Sequence, residues 1–169
     1  MAGALFERQL ATYASYHRDH RNRATHFVGI PAIVFSLLLA LALWHFDIGG
    51  VPISGAWLIG VLAVAGWIAL DAGIGIAMGL VTLAMILAVE WIVARYGAAT
   101  AWWLFGLLFV GGWVFQLVGH GFEGRRPALA DNLFQAFIGP MFLVAEIMIG
   151  LGLRPDLARA AEGAGPKPA

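Results

Sequence analysis

The sequence predicts an all-α integral membrane bundle, with four to five hydrophobic segments behind an N-terminal amphipathic helix at the interface. Three observations predict it. Of the 169 residues, 61% are hydrophobic and only 12% charged, against about 45–50% apolar and about 25% charged in soluble domains. Four apolar runs, 27–46, 51–70, 72–94 and 99–118, each reach the roughly 20 residues a helix needs to cross a hydrocarbon core about 30 Å thick. The links between them, at 47–50, 71 and 95–98, are so short that neighbouring segments turn back on one another.

Ahead of the first run, residues 5–17 (LFERQLATYASYH) place Leu5, Leu10, Tyr13 and Tyr16 near one helical face, with Glu7, Arg8 and Gln9 elsewhere. That is an amphipathic helix, fit to lie along a membrane surface. A polar segment in this place is unlike a cleavable signal peptide. Residues 18–22 read as a connection, because Asp19 and Asn22 both suit the cap of a new helix. His26 falls early in that helix, and Pro31 either starts the first span or kinks it. The fifth run, 133–153, carries Gly139, Pro140 and Glu146, so it spans, kinks or re-enters. Residues 1–159 are expected to form one membrane-embedded domain, and 160–169 (AAEGAGPKPA) a disordered tail.

Ten basic and ten acidic side chains cancel, so net charge gives no argument for a nucleic-acid partner. Their distribution says more. Arg8, Arg18, Arg21 and Arg23 precede the first run, and Arg125 and Arg126 follow the fourth; the opposite side holds only Arg95 before the fifth. The positive-inside rule therefore puts the N-terminus and both basic segments on the cytoplasmic side. Re-entry of the fifth run keeps Arg154, Arg159 and Lys167 there too, and is favoured for that reason. With no cysteine in the chain, any metal is held by nitrogen or oxygen.

Three of the five histidines, His17, His20 and His26, stand among three arginines in YHRDHRNRATH, residues 16–26. On an unbroken helix His17 and His26 point opposite ways; a break at 19–22 lets both face one side. The second polar cluster, QLVGHGFEGRRPALADNLFQ at 116–135, brings His120, between two glycines, to the same membrane face. Imidazole suits iron, zinc, copper and nickel, and three of them, or two with a carboxylate, leave positions open for substrate and dioxygen. The plainer reading makes such residues solvated or headgroup anchors, as His45 beside Trp44 and Phe46 is read. Glu90 can snorkel, whereas Glu146 lies deeper and faces protein or an interface. The Gly75–Gly79 GxxxG reads as helix packing. A non-enzymatic transporter, or a scaffold whose basic loops bind anionic lipid, is the alternative to an enzyme.

The arrangement Tyr13, Tyr16-His17, Asp19, Asn22, His26, Pro31, then Gln116, Gly119-His120-Gly121, Glu123, Arg125-Arg126-Pro127-Ala128-Leu129, Asp131-Asn132-Leu133 and Glu146 resembles the 2-hydroxy fatty acid dioxygenase family. The likeness runs from about residue 8 to 153, and GHGFEGRRPALADNL is its most specific stretch. It implies a small multi-spanning enzyme of fatty acid α-oxidation that uses iron(II) and dioxygen to shorten a 2-hydroxy fatty acid by one carbon. No haem or nucleotide is implied. Carried over, the metal ligands are His17, His26 and His120; His20 stands where the family has another residue and is the less expected ligand.

In that frame Arg125 or Arg126 pairs with the substrate carboxylate through a bidentate fork, with Gln116 beside it. Asp19, Asn22 or Glu123 orients the ligand imidazoles by accepting from their second nitrogens, and Tyr16 and Glu146 are further candidates. The family pattern has one more residue between Gly121 and Phe122, which shifts Glu123 relative to His120. The acyl chain is expected between the spans, among membrane lipid, its burial worth about 0.8 kcal/mol per methylene. Five histidines are too few for the repeated boxes of di-iron membrane hydroxylases, and nothing in the pattern specifies an oligomeric state.

Overall fold

A computed structural model describes residues 3–124 and 134–162. Helix α1 (Ala4–Ser15) buries Phe6, Leu10 and Tyr13, whose i, i+4, i+7 spacing makes one inward stripe. Leu5, which the sequence assigns to that stripe, is 45% exposed. It lies about 140° around the helix from Leu10, and Phe6 takes the inward place instead. The chain leaves α1 at Tyr16 and restarts after Asp19, whose carboxylate accepts from Arg21 N. Helix α2 (His20–Ala42) then runs through Pro31, so the proline lies inside a helix already under way.

The chain is mostly helical, as expected, and departs from that once, just beyond α2. Residues read as the ends of the first two spans form an antiparallel ribbon, β1 (His45–Ile48) and β2 (Val51–Ser54), with His45 opposite Ser54 and Ile48 opposite Val51. Gly49 and Gly50, at φ 64° and 83°, form the left-handed two-residue turn that matches strand twist. The β-branched Ile48, Val51 and Ile53 suit strands. Helix α3 (Gly55–Leu70) starts on a Ser54 cap, and α4 (Ala72–Glu123) on Asp71, which accepts from Ile74 N at 2.8 Å. Gly97, at φ 78° and ψ 175°, breaks α4 into two helical arms, at the link the sequence places over 95–98. Helices α5 (Phe134–Gly150) and α6 (Pro155–Glu162) follow. Helix α6 enters the segment read as a tail, and 163–169 lie outside the described residues.

Among the described residues, α2 and α4 are long and apolar enough to cross a membrane. They pack on each other more extensively than any other pair of elements. Helix α2 runs antiparallel to the second arm of α4, with Gly29 against Gly112 and Asn22 and Thr25 against Gly119. A Cβ on Gly119 would sit 2.1 Å from Thr25 Oγ1, and one on Gly112 2.9 Å from Gly29 O. These backbones touch because nothing stands between them. Helix α3 lies on the first arm, and a Cβ on Gly75 would meet Ile68 N at 2.4 Å, in keeping with the packing role read for that glycine.

Helix α5 turns over one end of the bundle rather than running its length. Near its start Trp67 Nε1 of α3 donates to Phe137 O at 3.0 Å; just past its end Arg154 meets Asp71, the residue after α3. Arg154 Nη1 and Nη2 donate to the Asp71 carboxylate at 2.8 and 2.9 Å, and Nε and Nη2 to Asp156. Hydrogen bonds from the guanidinium hold Asp156 at about 2. Burial alone would raise Asp71, but the bonds from Arg154 and Ile74 N keep it below the usual carboxylate range.

Removing the guanidinium leaves Asp71, 4% exposed, as an uncompensated charge. Arg154→Leu is therefore expected to cost about 3 kcal/mol, read by thermal unfolding in detergent. Both carboxyls are depressed in the folded state, so their contribution is complete above the ordinary value of 3.8 and is lost as pH falls below it, for Asp156 toward about 2. The wild type should show this acid limb and the variant should not.

Candidate metal centre

The gap between α1 and α2 brings two histidines into one place. His17 N closes the last turn of α1 on Ala14 O, and the His17 ring stacks on Tyr13 at 4.0 Å and 4°. Its Nδ1–H donates to Tyr13 O at 2.7 Å. In the second turn of α2, His26 Nδ1–H donates to Asn22 O at 2.8 Å. His120 arrives on the last turns of α4, where the bare Cα of Gly119 lets that helix press onto Asn22 and Thr25. All three rings are buried, with centroids 4.4, 4.9 and 5.1 Å apart. One nitrogen from each lies within 4.8 Å of the other two.

The proton positions follow from the partners. A carbonyl only accepts, so both Nδ1 atoms carry hydrogen and both Nε2 atoms carry lone pairs. Those two Nε2 atoms stand 3.0 Å apart, where lone pairs repel unless a cation is shared. Burial, and then the neighbouring His26 imidazole, push His17 down to about 3, so a proton is a poor candidate near neutral pH. A metal ion fits: two nitrogens about 2.1 Å from one ion and at right angles to each other are about 3 Å apart. His120 adds a buried ring whose Nδ1 has no partner among the described residues. Three neutral imidazoles with no thiolate suit iron, zinc, copper or nickel.

Of the residues expected to orient these rings, Asn22 does so, through its main-chain oxygen, while Asp19 and Glu123 bond elsewhere. The acceptors are the main-chain oxygens of Tyr13 and Asn22, because each histidine follows its partner by four residues and the i−4 carbonyl lies directly beneath it. Tyr13 was not singled out as a site residue, and backbone acceptors leave no mark in a sequence. The Glu123 carboxylate instead accepts from Arg18 N at 3.0 Å, Asp19 N at 2.9 Å and Asn22 Nδ2 at 3.1 Å. The end of α4 thereby pins the start of α2. Asn22 Nδ2 also reaches Tyr16 O at 3.3 Å, and Asp19 pairs with Arg21 at 2.8 Å.

His20 is 85% exposed, 3.9 Å from Asp19, and takes no part in the cluster. Glu146 pairs with Arg23 at 2.8 Å, beside a recess that reaches His17 from that side. Glu90 is hydrogen-bonded to Ser54, and His45 is exposed on the ribbon. Arg125 and Arg126 lie outside the described residues.

From the three rings a cavity of about 330 Å³ extends between α2, α4 and α5, walled by Ile30, Ile33, Leu37, Phe109, Trp113 and Pro140. Along α2 it reaches from His26 to Leu37, about 16 Å. Leu37 is itself 44% exposed, so the cavity opens through the apolar flank of the bundle. Two amides interrupt its walls. Gln116, expected as a substrate contact, and Gln135, which sequence reasoning passed over, are both buried. Gln116 Nε2 and Gln135 Oε1 have no partners among the described residues. The available signal for Gln135 was an amide just inside an apolar run, where burial is costly unless something meets it.

A family model described as 2-hydroxy-palmitic acid dioxygenase Mpo1-like matches residues 4–151. The chain is 33% identical over 159 residues to the 2-hydroxy-palmitic acid dioxygenase MPO1 of Saccharomyces cerevisiae, an alignment that covers 91% of this chain and 86% of that protein. No solved structure matches.

Glu123→Ala strips acceptors from two main-chain amides and the Asn22 amide at once. The expected loss is about 1–3 kcal/mol in thermal unfolding, with faster proteolysis between Tyr16 and Asn22. An unchanged melting temperature and cleavage pattern would contradict the pinning role.

Proposed function

The chain belongs to the 2-hydroxy-palmitic acid dioxygenase Mpo1-like family, and from that premise we propose that it is an iron(II)-dependent dioxygenase shortening 2-hydroxy fatty acids by one carbon at the cytoplasmic face of a membrane. The observation that carries this reading is the convergence of three buried imidazoles at the head of an apolar cavity. In the same reading α2, α3 and the two arms of α4 span the bilayer, and α5 re-enters it. The arginines around His17 and His26 then face the cytoplasm.

His17, His26 and His120 would hold the metal through neutral nitrogens. Iron(II) there would supply dioxygen activation and the redox chemistry needed to cleave between the carboxyl carbon and C2. The carbonyls of Tyr13 and Asn22 fix the tautomer and aim of two ligand rings and raise their basicity. Gln116 Nε2 donates to the substrate carboxylate, and Arg125 or Arg126 neutralises it. Ile33, Leu37, Phe109 and Trp113 take the acyl chain, each buried methylene contributing about 0.8 kcal/mol, and keep bulk water from the reacting carbons. Entry through the flank near Leu37 suits a substrate dissolved in lipid.

The test is incubation of the purified full chain with iron(II) and 2-hydroxyhexadecanoic acid under oxygen and under argon. Loss of substrate with appearance of a product one carbon shorter is expected under oxygen alone. His120→Ala should lower the rate by more than about 100-fold, beyond the roughly 10–100-fold typical of partners outside the ligand set. Equal recovery of intact substrate in both atmospheres would contradict the proposal and favour a transporter or scaffold.

A further inference from the structure

One polar side chain in the cavity has no role in the mechanism above. Gln135, in the first turn of α5, is 2% exposed and lines the cavity together with His17, His26 and His120. Its Nε2 donates to Gln9 Oε1 on α1, which turns the other amide atom away from α1. That atom, Oε1, is buried with no partner among the described residues. Gln116 on α4 presents the complementary deficit, a buried Nε2 with no acceptor among the described residues. An unmet buried polar atom is costly, and an acyl chain alone relieves neither.

The two deficits differ in kind. One asks for a donor from the side of α5, the other for an acceptor from the side of α4. A carboxylate only accepts, whereas a hydroxyl also donates. A 2-hydroxy acid carries both groups on adjacent carbons, while an unsubstituted acid has nothing to give Gln135 Oε1.

We propose that Gln135 is the specificity-determining residue for the 2-hydroxyl, accepting its hydrogen while Gln116 donates to the carboxylate, with Gln9 setting the direction of the Gln135 amide. The assignment rests on the reading of the substrate as a 2-hydroxy acid. It has a stereochemical consequence. With the carboxylate toward α4, the hydroxyl toward α5 and the acyl chain toward Leu37, three substituents of C2 have fixed places, and one enantiomer fits. A site built to bond a hydroxyl also discriminates against the analogue that lacks it, since its own polar atom is then left unpaired.

Binding is measured by equilibrium dialysis of the full chain in detergent micelles under argon, where nothing turns over. The probes are the two enantiomers of 2-hydroxyhexadecanoic acid, and hexadecanoic acid. The wild type is expected to bind one hydroxy enantiomer about tenfold or more tightly than hexadecanoic acid, roughly the worth of one net hydrogen bond. Gln135→Met should abolish that preference by weakening the hydroxy acid about tenfold while leaving hexadecanoic acid within about twofold. Gln9→Ala, outside the cavity, should reduce the preference in part, and it carries the test should Gln135→Met not fold.

Equal weakening of both acids in Gln135→Met, or an undiminished preference in either variant, would overturn the assignment. So would a wild type without preference, even one that consumes 2-hydroxy acid under oxygen, in which case the dioxygenase reading stands without it. A wild type that shows the preference and its loss, yet no oxygen-dependent turnover, would keep Gln135 as a hydroxyl acceptor and defeat the dioxygenase reading instead.

Discussion

With Nδ1 of His17 tied to the Tyr13 carbonyl and Nδ1 of His26 to the Asn22 carbonyl, two Nε2 lone pairs are held 3.0 Å apart inside an apolar bundle. A cation between them would relieve their mutual repulsion, and the surrounding contacts keep them there. The turn from Tyr16 to Asp19 places them on one side. Tyr13 covers the outer face of His17, and Glu123 ties that turn and the start of α2 to the end of α4 through three hydrogen bonds. His120 reaches the pair because Gly119 has no side chain to hold α4 away from Asn22.

The same geometry separates two environments. On one side of the imidazoles lies an apolar cavity interrupted by two amides; on the other, Arg23 and Glu146 form an ion pair near His17. Helix α5 contributes to both sides, through Gln135 and Pro140 to the cavity and through Glu146 to the pair. Its path over the end of the bundle is fixed at the far end by Arg154 on Asp71. Stability of the clasp and shape of the site are therefore linked through one helix.

Much of this was legible in the sequence for physical reasons. Apolar run lengths and short links gave the antiparallel helices, and the capping chemistry of Asp19 gave the break that reunites His17 and His26. Resemblance to a family then selected His120 as their partner and set His20 aside, which its exposed position matches. The ribbon at His45–Ser54 escaped, because Val51, Pro52 and Ile53 extend an apolar run as well as they make a strand, and only the paired positive φ angles of Gly49 and Gly50 distinguish the two. The inward face of α1 was misread by one residue, since Leu5 and Phe6 are equally apolar. Tyr13 and Asn22 act on the imidazoles through main-chain oxygens, which any residue type would supply. Gln135 carried no role in the sequence, and only its burial shows an oxygen unmet among the described residues.

X-ray absorption at the iron edge, on the full chain loaded anaerobically with one equivalent of iron(II), tests the central claim most directly. The expected spectrum shows imidazole scattering from three histidines, with nitrogens at about 2.1 Å, reduced to two in His120→Ala. Iron that fails to bind stoichiometrically, or that binds without imidazole scattering, would contradict the account.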